Sequence, residues 1–541
     1  MTVPSTISAP RYDAAAVVPS VVHLGLGAFH RAHQAAYADD VLATGSLSGG
    51  ICAVSLRNST LPAALSRQGF RYHVVETDDA GDRVRAISSI RQALSAGSHG
   101  MAAVIDRLAD PRIEVVTITV TEKGYCAVGA TGALDLDRDE VAHDLLHPAQ
   151  PQSMPGVLVE ALARRRVAGV APFSVCSCDN IRSNGATTRR VVTQLAAHRG
   201  DDLADWIAGE VAFPSSMVDR MVPNPTQQLR ETVRDLTQTD DECAVAAEPF
   251  SQWVIEDTFP GGRPPWERVG VDFVSDVTRY ELAKVRILNG AHSALAYFGL
   301  LAGHTKIDQA AADPRLSPVV RLMLLDEVLP TLAPPPGLDL ERYVDNSLAR
   351  FTNGQLGYTT HKVAGDGAGK LPGRIVGTIS DRLMAGASVD RLALVVAAYA
   401  MCLLGPPARR LAIADPTLHR LIGPALKSTA PAAEAVDRLL SLEEIFGRDL
   451  ASAPQFRTAV HRHAELLWRG ELSLALARTG RSPVTLPVVD LDLTDAFGHL
   501  RIVPVVVIHD AQDAEPLALA LKAGGLGAWV GNVQAVVGSG R

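Results

Sequence analysis

A segment near the middle of the chain carries three polar side chains at a spacing that could perform acid–base chemistry. Lys284, Asn289 and His292 would lie at roughly 0°, 140° and 80° around an α-helix, which places them on one side of it. Burial can lower the pKa of a lysine until it exchanges protons near neutral pH, and an amide can donate to an oxygen that gains negative charge. The segment therefore indicates a catalytic lysine, an oxyanion donor and a histidine that orients substrate. A polar seam between helices is the alternative.

A second polar cluster, Ser177–Gly185, follows an apolar stretch that is typical of a buried strand. In a doubly wound parallel sheet, the carboxyl ends of the strands line the ligand crevice. Asn180 would then lie where a second oxyanion donor is useful. Glu122 and Lys123 follow another predicted strand and are expected at the same edge of the sheet.

A glycine turn follows the first predicted strand. Gly25 and Gly27 stand in G-x-G spacing where this strand leads into a helix, which suits the pyrophosphate of a dinucleotide. His30 replaces the third glycine of the full G-x-G-x-x-G pattern, so an ordinary strand–turn–helix stays open as the alternative. Arg31 could add a charged contact to a phosphate.

The end of the second predicted strand bears on the choice of cofactor. An acidic residue there usually accepts a hydrogen bond from the ribose 2′-OH of NAD, but this strand ends in Arg57. Arg57 alone would favour the 2′-phosphate of NADP, or it could face solvent. The choice between NAD and NADP therefore stays open at this point.

Apolar runs alternate with amphipathic stretches in the first half of the chain. The predicted strands are Val21–Leu26, Ile51–Leu56, Ile113–Val120 and Phe173–Ser177, with helices such as Leu61–Gln68 and Met101–Leu108 between them. Helical patterns dominate later, over Glu281–Leu300, Leu316–Leu332, Val389–Leu404 and Val436–Leu476. We therefore predict an α/β fold, with a doubly wound, Rossmann-like parallel-sheet domain over residues 1–275 and a mostly α-helical domain over residues 276–480. Residues 481–541 are predicted to form an extra tail with a strand–helix unit.

Composition excludes several classes of protein. The chain has 541 residues, of which 47% are hydrophobic, and a formal net charge of −8, which argues against a general basic surface for nucleic acid. The six cysteines suggest reduced core thiols, because the one close pair, Cys176 and Cys178, has no second pair to complete a zinc site. No uncharged apolar run reaches ~18 residues, and the N-terminal segment lacks the pattern of a signal peptide. We therefore expect a cytoplasmic protein with no metal and no membrane or nucleic-acid partner.

Together these segments resemble the mannitol dehydrogenase family, the long-chain polyol dehydrogenases that need no zinc. The matching segments stand in the family's order: G-x-G-A-F-H-R-A-H at Gly25–His33, S-C-D-N at Ser177–Asn180, F-P-x-x-M-V-D-R at Phe213–Arg220, E-P-F-x-Q-W-V-I-E-D at Glu248–Asp257 and K-x-x-x-x-N-x-x-H at Lys284–His292. The resemblance implies that Lys284 is the general acid and base. It also implies that Asn180 and Asn289 form the oxyanion site and that His292 binds substrate hydroxyls.

The resemblance also implies NAD as the cofactor. The residues expected to contact it are Gly25, Leu26, Gly27, Ala28, Phe29, Arg31, Arg57 and Glu122.

Within this family, the local sequence resembles the hexuronate (fructuronate) reductases more than the polyol enzymes, which tend to have glycine in place of Lys123. D-Fructuronate carries a carboxylate that Lys123, Lys370 or Arg374 could pair with, and Asp219 completes the predicted substrate contacts. The resemblance thus implies interconversion of D-fructuronate and D-mannonate. The alternative is oxidation of mannitol or arabinitol, with Lys123 facing solvent. Asp366–Arg374 also lacks the serine and glutamine of the D-G-S-Q-K-L-P-Q-R segment common in hexuronate enzymes.

The tail resembles the opening strand and helix of 2-keto-3-deoxy-6-phosphogluconate aldolase, an enzyme of hexuronate degradation. No Schiff-base lysine follows this segment, so aldolase activity is not expected. We expect a monomer or a small homo-oligomer. A sugar-binding regulator that kept the fold but lost turnover is another possible class, and the intact set of Lys284, Asn289 and His292 argues against it.

Overall fold

The computed structural model describes residues 7–46, 48–129, 132–406, 411–422 and 431–479, and in this part of the chain the strands precede residue 275. The strands are β1 Ile7–Ser8, β2 Pro19–Leu24, β3 Gly50–Ser55, β4 Tyr72–Asp78, β5 Gly81–Ile87, β6 Ile90–Ser95, β7 Val115–Ile118, β8 Ala127–Val128, β9 Ala133–Leu134, β10 Ser174–Ser177, β11 Ser216–Asp219, β12 Val245–Ala247, β13 Gln252–Glu256 and β14 Asp272–Val274.

The helices that alternate with these strands are α1 Ala28–Ala32, α2 Gln34–Ala43, α3 Thr60–Arg67, α4 Ala96–Ala109, α5 Asp139–Leu146, α6 Met154–Val167, α7 Asn184–Ala197, α8 Asp201–Glu210 and α9 Gln227–Thr237. The later helices are α10 Thr278–Ala283, α11 Gly290–Ala302, α12 Ile307–Ala312, α13 Ser317–Met323, α14 Leu340–Phe351, α15 Thr360–Ala364, α16 Gly367–Leu371, α17 Gly377–Met384, α18 Asp390–Leu404, α19 Pro416–Ile422, α20 Ala432–Leu440, α21 Glu443–Ser452, α22 Pro454–Trp468 and α23 Leu472–Ala477.

The central sheet has five parallel strands in the order β6–β3–β2–β7–β10. Successive side chains of a strand point to opposite faces, and here both faces are covered. Val22, Leu24 and Val116 are buried in the core on one side of the sheet, whereas Val21 and Val115 belong to the core on the other. The predicted doubly wound parallel sheet is therefore confirmed.

The four predicted strands are all present, with ends shifted by at most two residues. Three further sheets of the described chain were not predicted. They are the sheet β1–β5–β4–β12, which contains the antiparallel pair β4–β5, the two-stranded antiparallel sheet β8–β9 and the three-stranded sheet β11–β13–β14. The last of these sheets carries two residues of the candidate site, because Val218 and Asp219 lie at the end of β11.

The later part of the described chain packs its helices around α18, most of whose residues are buried. The predicted helix Val389–Leu404 is confirmed as α18, and the predicted helical pattern over Val436–Leu476 is confirmed but is broken into shorter helices. This range holds four helices, α20 to α23. Pro454 begins one of them, and Gly470, with φ of +78°, lies in the last break. The predicted tail, residues 481–541, lies outside the described residues.

Gly25 lets the chain turn after β2 close to Thr119, which follows β7. Its substitution should therefore destabilise the fold. Its φ is +110°, and a Cβ atom there would lie 1.9 Å from the carbonyl oxygen of Thr119. We expect Gly25→Ala to lower the free energy of unfolding by more than ~2 kcal/mol, as a fall in melting temperature would show. Gly27→Ala is the matched control, because its Cβ would meet only an oxygen at 3.8 Å. Equal melting temperatures for the two variants would contradict this account.

Candidate active site

Lys284 is buried between the two halves of the described chain, with 4% of its surface exposed. Its Nζ donates a hydrogen bond to Asn180 Oδ1 at 2.5 Å and another to the carbonyl oxygen of Val218. An ammonium group has three protons, so one remains to be donated elsewhere. In the neutral amine, two N–H groups satisfy the same acceptors and the lone pair takes the third direction. The geometry therefore suits a group that gives and takes one proton at a fixed point.

The surroundings of Lys284 favour release of that proton. Burial lowers the pKa of Lys284 and is the largest influence on it, and the positive charges of Arg350 and Arg374 act in the same direction. The carboxylates of Asp219 and Glu281 oppose this shift. The predicted desolvated lysine is thus what the structure contains.

Asn180 is held by the loop that follows β10. The preceding residue, Asp179, accepts hydrogen bonds from the backbone N–H of Val120 (2.9 Å), the N–H of Thr121 (3.1 Å) and the hydroxyl of Tyr125 (2.8 Å), which ties this loop to the end of β7. Since the amide oxygen of Asn180 faces Lys284, its NH2 group remains available for a substrate oxygen. Lys284 and Asn180 are therefore brought together as predicted.

The segment Lys284–Asn289 is a π-helix between α10 and α11, so the prediction of a regular α-helix is wrong here. In a π-helix the hydrogen bonds join residues five apart, which places Asn289 about one turn beyond Lys284 on the same side. Gly290 lets the segment that carries Arg374 pack closely, because a Cβ at Gly290 would lie 3.2 Å from the carbonyl oxygen of Arg374. Such π segments are frequent at functional sites.

His292 lies in the first turn of α11 and has a ring nitrogen without a hydrogen-bond partner among the described residues. Its buried Nε2 has no hydrogen-bond partner among the described residues. The ring stacks on Phe351 at 4.8 Å and meets Tyr358 edge-on at 5.9 Å. Burial, followed by the charges of Arg374 and Lys370, lowers the pKa of His292 to about 3, so the imidazole is neutral at pH 7. A neutral ring with an unpartnered nitrogen is suited to bind a substrate hydroxyl.

Two further cations face the same histidine. Arg374 donates to Ser293 Oγ at 3.0 Å and to the carbonyl oxygen of Asn289 at 3.4 Å, and Lys370 donates to the carbonyl oxygen of Gly365 at 2.5 Å. Neither cation has a carboxylate partner within ion-pair distance in the described ranges of the chain. The carboxylates of Asp366 and Asp415 influence Lys370 only from beyond ion-pair distance, so neither cation is paired directly with a carboxylate of these ranges.

The other predicted substrate residues are placed differently. Asp219 is buried, and both of its oxygens accept hydrogen bonds from Arg350, at 2.6 and 2.9 Å. Lys123 and Glu122 are exposed on the short 3₁₀ turn Glu122–Tyr125 that follows β7. The structure brings Asp219 near Lys284, but it records no contact between Lys123 and the buried cluster.

Arg350, which contacts Asp219, was not predicted from the sequence. A signal existed, because Arg350 lies seven residues after Tyr343, on the apolar stripe by which α14 packs into the core. An arginine on such a stripe has to be buried with a partner.

The glycine turn has the shape that a dinucleotide needs. Gly27 is exposed and precedes α1 without a side-chain cap, and a Cβ at Gly27 would have the carbonyl oxygen of Gly25, at 3.8 Å, as its one neighbour within 4 Å. The backbone there can be approached closely, and Leu26, Ala28 and Phe29 flank it. The residues present therefore fit a bound pyrophosphate.

Two predicted cofactor contacts, Arg31 and Arg57, lie in opposite environments, one buried and one exposed. Arg31 is 4% exposed and faces the second sheet at Tyr72 and Asp241, because α1 ends after one turn and α2 begins beyond His33. The contact of Arg31 with a phosphate stays a prediction. The side chain of Arg57 is 83% exposed and lies 3.8 Å from Glu140, so its role stays a prediction.

No group of three or more His, Cys, Asp or Glu side chains that could hold a metal ion occurs in the part of the chain that the structure describes. The six cysteines are buried and free. The helices of the described ranges are too short or too polar to span a bilayer.

The fold and site define an oxidoreductase with a Rossmann domain that acts on CH–OH groups. Two family models match the chain: the mannitol dehydrogenase Rossmann domain over residues 19–268 and the mannitol dehydrogenase C-terminal domain over residues 276–468. The chain belongs to the mannitol dehydrogenase family.

Its relatives include proteins named for different substrates. The chain is 40% identical over 467 residues to the uncharacterized oxidoreductase YeiQ of Escherichia coli (strain K12), covering 85% of this chain and 95% of that protein. It is 39% identical over 459 residues to D-mannonate oxidoreductase of the same organism, covering 84% and 94%. The structure of Pseudomonas fluorescens mannitol 2-dehydrogenase in ternary complex with NAD and D-mannitol matches with a TM-score of 0.76 and 36% identity, covering 89% of this chain and 97% of that one.

Proposed function

We propose that the chain uses NAD(H) to interconvert D-fructuronate and D-mannonate. The observation that carries this proposal is the pair of cations beside His292, Arg374 and Lys370, which have no carboxylate partner among the described residues. A hexuronate brings one carboxylate to such a site and forms charge-assisted hydrogen bonds there. D-Mannitol has no charge and would leave both cations unpaired. The similarity to D-mannonate oxidoreductase supports the same choice.

The turn at Gly25 and Gly27 would hold the pyrophosphate of the cofactor, which supplies a hydride to the ketone carbon in the reductive direction. As the ketone oxygen gains charge, the amides of Asn180 and Asn289 donate to it and the third proton of Lys284 passes to it. In the oxidative direction, the neutral amine of Lys284 accepts the hydroxyl proton. Oxidation therefore gains with rising pH as Lys284 loses its proton, and reduction gains as pH falls.

A comparison of two ketoses tests the substrate. We expect NADH absorbance to fall much faster with D-fructuronate than with D-fructose. Arg374→Met and Lys370→Met should each reduce the ratio of kcat/KM for fructuronate to kcat/KM for fructose by ~10- to 100-fold, since each removes a charged hydrogen bond to the carboxylate. Arg374→Lys is the matched control, because it keeps the charge and should retain most of the preference.

The same measurements separate the alternatives. Lys123→Ala should leave the ratio nearly unchanged, because Lys123 is exposed on its turn. A wild-type preference for D-fructose would overturn the proposal and assign the chain to polyol oxidation. A parallel assay with NADPH addresses Arg57, and a higher kcat/KM with NADPH than with NADH would overturn the assignment of NAD.

A further inference from the structure

Arg350, near the end of α14, is held by two carboxylates from the Rossmann half of the chain. Its Nη atoms donate to both oxygens of Asp219, while Nε donates to Glu248 Oε2 at 2.9 Å and Nη2 to Glu248 Oε1 at 2.7 Å. The guanidinium also lies 4.1 Å from the centre of the Phe250 ring. Its side chain is 9% exposed, and those of Asp219 and Glu248 are 4% and 3% exposed. One cation thus partners two buried carboxylates.

This cluster is joined to the catalytic lysine by the backbone of β11. Val218, whose carbonyl oxygen accepts from Lys284 Nζ, directly precedes Asp219. Glu248 Oε1 also accepts from the N–H of Met221 at 2.6 Å, which fixes the chain just beyond β11. Arg350 therefore holds the chain just after the carbonyl group that orients Lys284, directly at Asp219 and through Glu248 at Met221.

Phe351, the residue after Arg350, also contacts the candidate site. Phe351 stacks on the ring of His292, and Asn353 donates to the carbonyl oxygen of Thr77 at 2.9 Å. The end of α14 is thus docked on the Rossmann half at more than one point. Because Arg350 is the cation in this contact, it provides charge as well as attachment.

We infer that Arg350 is a positioning residue for proton transfer: it neutralises Asp219, whose charge acts on Lys284, and with Glu248 it fixes the strand end that orients the amine. Without Arg350, the buried carboxylate of Asp219 would act on Lys284 without a counter-charge and hold it as an ammonium ion. The inference rests on the proposed role of Lys284 as acid and base, and it does not depend on which sugar is bound. The charged and titratable groups that act on Lys284, with the elements that carry them, are Asp219 of β11, Glu281 of α10, Arg350 of α14, Arg374 of the π segment Pro372–Val376, and His33 between α1 and α2.

The test is the pH profile of alcohol oxidation, measured as kcat/KM with NAD and whichever of D-mannonate and D-mannitol the wild type oxidises faster. Arg350→Gln should raise the midpoint of the profile by about one pH unit, since Lys284 then keeps its proton to higher pH. Asp219→Asn should move the midpoint in the opposite direction, because it removes a negative charge that raises the pKa of Lys284 and keeps hydrogen-bonding atoms. Arg350→Lys should keep the wild-type midpoint even where the rate falls.

Arg342→Gln is the matched control, because Arg342 is exposed on the same helix and its loss should not move the midpoint. A purely structural role for Arg350 predicts lower rates with an unshifted midpoint, and that result would overturn the inference. If Arg350→Gln does not fold, Asp219→Asn still decides the matter, because an unshifted midpoint in that variant would also overturn the inference. A preference for D-mannitol would refute the proposed substrate and leave this test intact.

Discussion

Replacing Lys284 with methionine is expected to lower turnover in both directions by ~10³-fold or more while the protein still folds and binds NADH. General acid–base catalysis contributes about 10²–10⁴ to a rate, and in the proposed mechanism one group serves both directions. The loss of hydrogen bonds to Asn180 and Val218 costs stability, but the variant no longer buries a charged group, which offsets part of that cost. The rate is followed by NADH absorbance, and folding by the melting temperature with and without NADH.

Lys284→Arg provides a sharper control, since arginine keeps the positive charge but does not release a proton near neutral pH. If Lys284 only attracted a negatively charged substrate, Lys284→Arg would retain much of the activity. If Lys284 transfers the proton, both variants are inactive. Wild-type turnover in Lys284→Met would refute the assignment of the acid and base.

The central sheet was predictable because its strands are short, apolar on both faces and separated by helical patterns. Val21 and Val22 illustrate the reason, since adjacent residues serve different cores and the whole run has to be apolar. The strand β6 was missed because Arg91 and Gln92 interrupt its apolar pattern at an edge of the sheet. The antiparallel pair β4–β5 was missed for the same reason, as charged residues occur along both strands.

Within the site, the sequence located Lys284, Asn180 and His292 because they lie in continuous segments at the ends of elements. The π-helix at Lys284–Asn289 was not predictable, because a segment with good helical periodicity gives no sign that one turn is wider. The π segment Pro372–Val376 packs beside Gly290, so the surroundings of the wider turn come from residues far away in the sequence.

The spacing of residues along the sequence could not predict contacts between distant segments. Arg350 is 131 residues from Asp219 along the chain, and only the folded structure pairs them. The burial of Arg31 was likewise not predictable, because it depends on the break between α1 and α2 at His33.

Replacing Asn180 with alanine is expected to lower kcat by ~10²–10³-fold, because one side chain performs two tasks. Its oxygen anchors Lys284 Nζ at 2.5 Å, and its NH2 group remains to stabilise the oxygen that gains charge. Loss of one oxyanion donor alone typically costs that much. The effect should appear in kcat more than in KM, since the donor acts when charge develops. Asn346→Ala, at an exposed position of α14, should retain wild-type kinetics.

Asn180→Asp separates the two tasks that Asn180→Ala removes together. Aspartate still accepts a hydrogen bond from Lys284, but it donates none at neutral pH and places a negative charge where the oxyanion forms. We expect its kcat to fall at least as far as that of Asn180→Ala, and the midpoint of its pH profile for oxidation to rise because the carboxylate favours the ammonium form of Lys284. If anchoring of Lys284 were the whole role of Asn180, Asn180→Asp would be the more active of the two variants. The order of the two rates therefore decides whether the amide of Asn180 acts on the substrate or only on the lysine.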